Sequence, residues 1–293
     1  MNSNLLPDFQ TRHIDWHGQP AVAIHSPDGA SAVVLMQGAQ LVSWRRPNGQ
    51  EQLYLSDRAV YAPGHPVRGG VPVVFPQFEC RGPLPRHGFA RTDSWSLVSC
   101  QGSNAADALV VFSLTDTQAT QAVWPHAFGL ELTIRFCANR LDLELTVDNT
   151  GPSSFQFTTA LHTYLRVEDL DQLQLNGLHR LRYQDCVRGT EQIESHSSLK
   201  ITSEIDRIYF DAARELVLVD GPHSKRISTT GFLDAVVWNP GPDKCAALAD
   251  MPADGYRHML CVEAAAIGQP IELAAGEQWV ARQSIECLDA DPP

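Results

Sequence analysis

The chain has 293 residues, 43% of them apolar and 19% charged, so it carries enough hydrophobic surface to offset chain entropy and global disorder is excluded. A formal net charge of -12 argues against nucleic acid or an anionic membrane surface as the main partner. No segment approaches the roughly 20 apolar residues of a transmembrane helix.

From the N-terminus, the stretch through Arg12 contains Asp8 and lacks the apolar core of a secretion signal. His13 and His17 stand i,i+4 in what reads as a polar leader; without the intervening glutamate of a metalloprotease helix they read as surface histidines. Short apolar runs at 21–25, 32–36 and 41–46 predict strands, separated by the turn formers Pro27-Asp28-Gly29 and Pro47-Asn48-Gly49. Further strands are expected at 95–100 and 109–114. The clearest alternation follows: Leu130, Leu132, Ile134 and Phe136 face one way, then Leu141, Leu143, Leu145 and Val147, with 138–140 suited to a hairpin connection. Strands are then expected at 155–164, 173–175, 216–219, 227–230, 235–238, 260–264 and 278–287. The best helix signal is Pro242-Asp243-Lys244, opening a run through Ala249. The sum predicts an all-β, large antiparallel β-sandwich with a few short helices. No repeat or linker marks a boundary, so 1–293 is expected to form one domain. Seven scattered cysteines without a CxxC pair read as reduced thiols of a cytoplasmic protein, with no metal site.

Chemistry is suggested in three places. The segment 66–91 holds Arg68, Arg81, Arg86 and Arg91 with His87 against the single acid Glu79; four cations less one anion is +3, inside an acidic chain. Its prolines and glycines make it irregular backbone, where arginines either grip an anionic oxygen cluster or are solvated loop charges. His162 lies in a β-prone run that places it on the face opposite Leu161 and Thr163, as a structural histidine or a proton carrier. Glu263 is the single charge in 260–267, either on the wet side of a strand or held in a pocket, where burial would raise its pKa toward that of a general base.

Taken together, several stretches resemble the hexose-6-phosphate mutarotase branch of the aldose 1-epimerase superfamily. They are 68–76 opening on Arg68-Gly69-Gly70, 84–91 with His87-Gly88 and Arg91, Trp124-Pro125-His126, Ala160-Leu161-His162-Thr163-Tyr164, Asp206-Arg207-Ile208-Tyr209, Val237-Trp238-Asn239-Pro240, and 259–263 ending in Glu263. They occur in the family's order across nearly the whole chain. The resemblance implies a galactose-mutarotase-like supersandwich that interconverts the anomers of glucose 6-phosphate or a related hexose 6-phosphate, and the chain is expected to be a monomer without cofactor. It implies His162 as general acid at the ring oxygen, Glu263 as general base at the anomeric hydroxyl, and Arg68, Arg91 and Asp206 as substrate-binding residues. His87 matches a family histidine and would hydrogen-bond sugar hydroxyls or brace the loop backbone, and Trp238 would present an apolar face to the ring or pack in the core. Arg86 departs from the pattern, standing where glutamine commonly precedes the His-Gly pair; an extra cation there would tighten phosphate binding or shift sugar preference. An epimerase of unphosphorylated hexoses, and a non-catalytic carbohydrate-binding module, are the rival readings.

Overall fold

The alternation at 130–136 and 141–147 becomes a hairpin of two long antiparallel strands, Phe128–Phe136 and Arg140–Asn149, whose even-numbered and odd-numbered apolar residues respectively are almost wholly buried. Burying each such Leu, Ile or Phe stabilises the fold by about 1.5–3 kcal/mol. The structure, a computed structural model, describes residues 9–102 and 107–288; the opening residues, on which the reading of the N-terminus partly rests, lie outside the described residues.

The strands form three sheets, and every strand pair is antiparallel. A nine-stranded sheet contains the hairpin and, beside it, Gln278–Cys287. An eight-stranded sheet orders Ile205–Tyr209, Asp234–Asn239, Met259–Leu273 and Phe155–Leu161 as neighbours. One continuous core joins them, with Leu132, Leu143 and Ile285 from the first sheet, Leu161, Val237 and Val262 from the second, and Val34 and Trp44 from a four-stranded N-terminal sheet. No helix among the described residues is long and apolar enough to cross a membrane.

Three departures from the expected elements matter. The supposed polar leader is a strand, Gln10–Trp16, paired along its length with Gln19–His25; it is largely exposed, and only Ile14 and Trp16 at its end pack on an apolar cluster, too few to show as alternation. The helix at Pro242 spans Gly241–Ala247 and stops there because Leu248 turns extended. The run expected as one strand over 155–164 is broken into Phe155–Leu161 and Tyr164–Arg166, with His162 and Thr163 between them.

Candidate active site

The break at His162 organises the site. Its N–H donates to the Pro72 carbonyl at 3.0 Å, and the N–H of Thr163 folds back to the Leu161 carbonyl at 2.9 Å. Pairing with Met259–Leu273 resumes on both sides, Leu161 opposite Ala264 and Tyr164 opposite Cys261. Counted through that register, His162 falls opposite Glu263, although about a hundred positions separate them in sequence. Opposed side chains on neighbouring strands lie within contact distance, and His162 Nδ1 is 3.3 Å from Glu263 Oε1.

The backbone at this break is held from behind. Gln283, on the opposite large sheet and 1% exposed, accepts from the Thr163 hydroxyl at 2.5 Å and donates to the Val262 carbonyl at 2.9 Å. One amide thus ties together the segments that carry His162 and Glu263, in a core where unpaired polar groups would be costly.

Neither reactive side chain is satisfied by the protein alone. The His162–Glu263 approach is not aligned as a hydrogen bond, and His162 Nδ1 and Glu263 Oε2 are buried without a partner. Burial pushes the Glu263 carboxyl well above its usual range, with Asp206 adding to the effect. Burial likewise drives His162 well below its usual value, reinforced by His87, Arg91 and Arg68. A buried pair of this kind favours holding one proton between them, on the carboxyl or on the imidazole, which is the property needed to give a proton at one atom and take one at another.

A cleft of about 140 Å³ opens onto the pair, and its walls include Arg68, Arg86, His87, Arg91, His162, Asp206 and Glu263. All seven residues singled out in the sequence are brought together there. A larger cavity of about 340 Å³ lies over Asp185–Arg207, and one of about 510 Å³ lies beside the N-terminal sheet, lined by residues such as Trp16, Glu51 and Tyr61; in these, Asp185 and Glu51 form ion pairs with arginines and not with an imidazole.

Glycines let the arginine segment approach. At Gly70, with φ +62°, a Cβ would collide with the Leu41 carbonyl, and at Gly88, with φ +68°, with the Phe75 carbonyl. Arg68, just before the first pair of glycines, donates from Nε to Asp250 and from Nη1 to the Tyr164 hydroxyl, both at 3.1 Å. Arg86 pairs with Glu79 at 2.9 Å on the rim. Arg91 donates through Nη2 to the Arg86 carbonyl at 2.8 Å, while its buried Nε has no partner. His87 accepts from the Glu79 N–H through Nδ1 at 3.3 Å, which leaves Nε2–H as its donor. Burial, with Arg91, Arg86 and Arg68 around it, lowers the His87 pKa to about 3, so this imidazole is neutral.

Asp206 stands opposite Trp238 in the neighbouring strand, and burial together with Glu79 raises its pKa to about 6. Trp238 borders the cleft, edge-on to His162 at 6.1 Å. Three polar lining residues, Tyr164, Glu79 and Lys244, were not among the site residues named from the sequence. Tyr164 stacks on His162 at 4.8 Å, Glu79 anchors Arg86, and Lys244, on the short helix, is tied to Glu204 at 2.6 Å. Tyr164 had a local signal, two positions beyond His162 on a strand; Lys244 had none. Trp124-Pro125-His126, by contrast, packs with Phe75 and Phe155 away from the cleft walls.

His162, Cys261 and Glu263 offer donor atoms within 4.8 Å of one another. Burial pushes the Cys261 thiol well up as it does the Glu263 carboxyl, so metal capture there would first require two unfavourable deprotonations.

A family model described as aldose 1-epimerase matches residues 20–286. A Cenchrus ciliaris protein named provisionally as a glucose-6-phosphate 1-epimerase is 33% identical over 282 residues, 92% of this chain and 85% of that one. An Escherichia coli protein of the same provisional name is 34% identical over 239 residues, 78% of each chain. Among solved structures, the Salmonella typhimurium protein YeaD, described provisionally as a mutarotase, superposes with a TM-score of 0.87 at 28% identity, covering 98% of this chain and 96% of that one. The sandwich, the ordered motifs and these likenesses agree: the chain belongs to the aldose 1-epimerase family.

Proposed function

We propose that this protein interconverts the α and β anomers of a hexose 6-phosphate, glucose 6-phosphate or a close relative, by acid/base opening and reclosure of the ring. The observation that carries the reading is the cross-strand pair itself: a buried imidazole and a buried carboxyl 3.3 Å apart at one cleft, each with an unsatisfied polar atom.

Ring opening needs a base at the C1 hydroxyl and an acid at the ring oxygen. Glu263, as carboxylate, takes the C1 hydroxyl proton; His162, as imidazolium, delivers its proton to the ring oxygen as the C1–O5 bond breaks. The open aldehyde turns about C1–C2. Reclosure on the other face returns both protons, the carboxyl giving one to the aldehyde oxygen and the imidazole taking one from the C5 hydroxyl. The sum leaves the protein unchanged and requires no net proton from solvent. His87, fixed as a neutral Nε2–H donor, and Asp206, as acceptor, are suited to sugar hydroxyls. The arginines around the cleft, together with the names of the relatives, support a phosphorylated substrate.

The test is a direct comparison of sugars. Charge-assisted hydrogen bonds to phosphate contribute roughly 1.5–3 kcal/mol each, so kcat/KM for glucose 6-phosphate should exceed that for glucose by about 100-fold or more. Exchange NMR at anomeric equilibrium measures both. Equal efficiency would instead make the protein an epimerase of bare hexoses.

A further inference from the structure

The cations of the cleft are not equivalent. Arg68 is engaged by Asp250 and the Tyr164 hydroxyl, Arg86 by Glu79, and Lys244 by Glu204. Arg91 stands apart. Among the described residues no carboxylate forms an ion pair with it, its one hydrogen bond is to a backbone carbonyl, and its Nε is buried with nothing to donate to. A guanidinium on a cleft wall that has no carboxylate partner and an unsatisfied nitrogen is a built place for an anion.

Covalent structure then says where the anion of a hexose 6-phosphate must lie. The phosphate hangs from C6, and C6 is bonded to C5, the carbon that carries the ring oxygen. The side chain that protonates the ring oxygen and the cation that holds the phosphate therefore have to be neighbours. His162 and Arg91 line the same cleft, and His87, on the segment that carries Arg91, lies 5.6 Å from His162, ring to ring. An uncompensated positive charge beside His162 opposes formation of the imidazolium that must be in place before the ring can open.

We propose that the phosphate dianion bound at Arg91 activates the acid/base pair as well as anchoring the sugar, so that a free dianion supplied in trans accelerates turnover of a sugar that lacks one. The dianion supplies the counter-charge that Arg91 lacks, which removes the opposition to protonated His162 at the moment it is needed. Arg91 in this account is a positioning residue, acting on the reaction through the anion it holds. The inference rests on the substrate reading above and extends it, because a phosphate that only anchored would improve binding without helping a sugar to which it is not attached.

The experiment uses D-xylose, which is glucose without its C6 arm, with and without inorganic phosphite dianion. The rate in the presence of His162→Ala protein is subtracted, because oxyanions catalyse mutarotation in free solution. We expect phosphite to raise the kcat/KM of the wild-type protein for xylose by about tenfold or more, saturably. In Arg91→Gln the ratio of rates with and without phosphite should fall to about one, while Arg91→Lys should retain part of the activation. Thermal unfolding of both variants, with and without phosphite, confirms that the comparison is between folded proteins. No activation at saturating phosphite, or the same activation in Arg91→Gln as in wild type, overturns the proposal. If glucose 6-phosphate is still strongly preferred over glucose in that case, the substrate reading stands and this inference alone fails; if the two sugars are equivalent, the substrate reading has failed first.

Discussion

The strand Met259–Leu273 meets two opposite environments on alternate residues. Leu260, Val262 and Ala264 enter the core between the large sheets, whereas Cys261, Glu263 and Ala265 turn to the outer face, where Glu263 borders the cleft and Ala265 joins a small apolar cluster with Phe78 and Val236. The same central position that gives the inner residues their burial leaves Glu263 only 2% exposed. A raised carboxyl pKa is thus a by-product of placing an acid on an interior strand, and the fold's stability and the site's chemistry are separated by one residue step.

The comparison can be broken from either face. On the outer face, Glu263→Gln and His162→Ala should each lower anomerisation by about 10²- to 10⁴-fold, the value of a positioned proton transfer, without loss of the folded state. Exchange NMR alongside thermal unfolding checks both halves of that statement; full activity in either variant would exclude that residue from the chemistry. On the inner face, Leu260→Ala should reverse the pattern, costing about 2–5 kcal/mol in urea unfolding while turnover per folded molecule stays within about threefold. The smallest effect concerns Asp206. Its carboxyl is raised to about 6 in the folded protein, above the value near 4 expected unfolded, so folding is favoured below pH 4 and that contribution is lost as pH rises through 6. Asp206→Asn should therefore stabilise the protein by about 2 kcal/mol at pH 8, with the gain fading toward pH 4. A variant less stable than wild type at pH 8 would mean that Asp206 has compensating partners when ionised.

What could be read in the sequence follows the same division. Strands with one dry face, such as Phe128–Phe136, announce themselves by alternation. Those without it do not: Thr190–Ile193 is exposed along its length, and Ile205–Tyr209 interrupts its apolar residues with Asp206 and Arg207, one lining the cleft and the other bound to Glu194. The helix Gln118–Val123 escaped because its cap is Thr117 with Thr120, in place of the acidic partner that makes a capping box conspicuous. At the site, side-chain identity and motif order pointed to His162 and Glu263, but their pairing depends on a strand register that no local pattern encodes. The break in the ladder at His162 was equally hidden, since Thr158–Tyr164 reads as uninterrupted β sequence and the interruption is stabilised by Pro72 and Gln283, both remote in the chain.

Gln283 has a consequence for how such proteins can diverge. Because its amide clamps the segments that carry His162 and Glu263 from the far sheet, the spacing between those two side chains is inherited with the sandwich and resists change. Arg86 comes instead from the largely exposed end, 81–86, of an irregular segment whose continuation through His87, Phe89 and Ala90 is buried. Exchanging that segment would reshape the rim of the cleft while the spacing of His162 and Glu263 beneath it is kept.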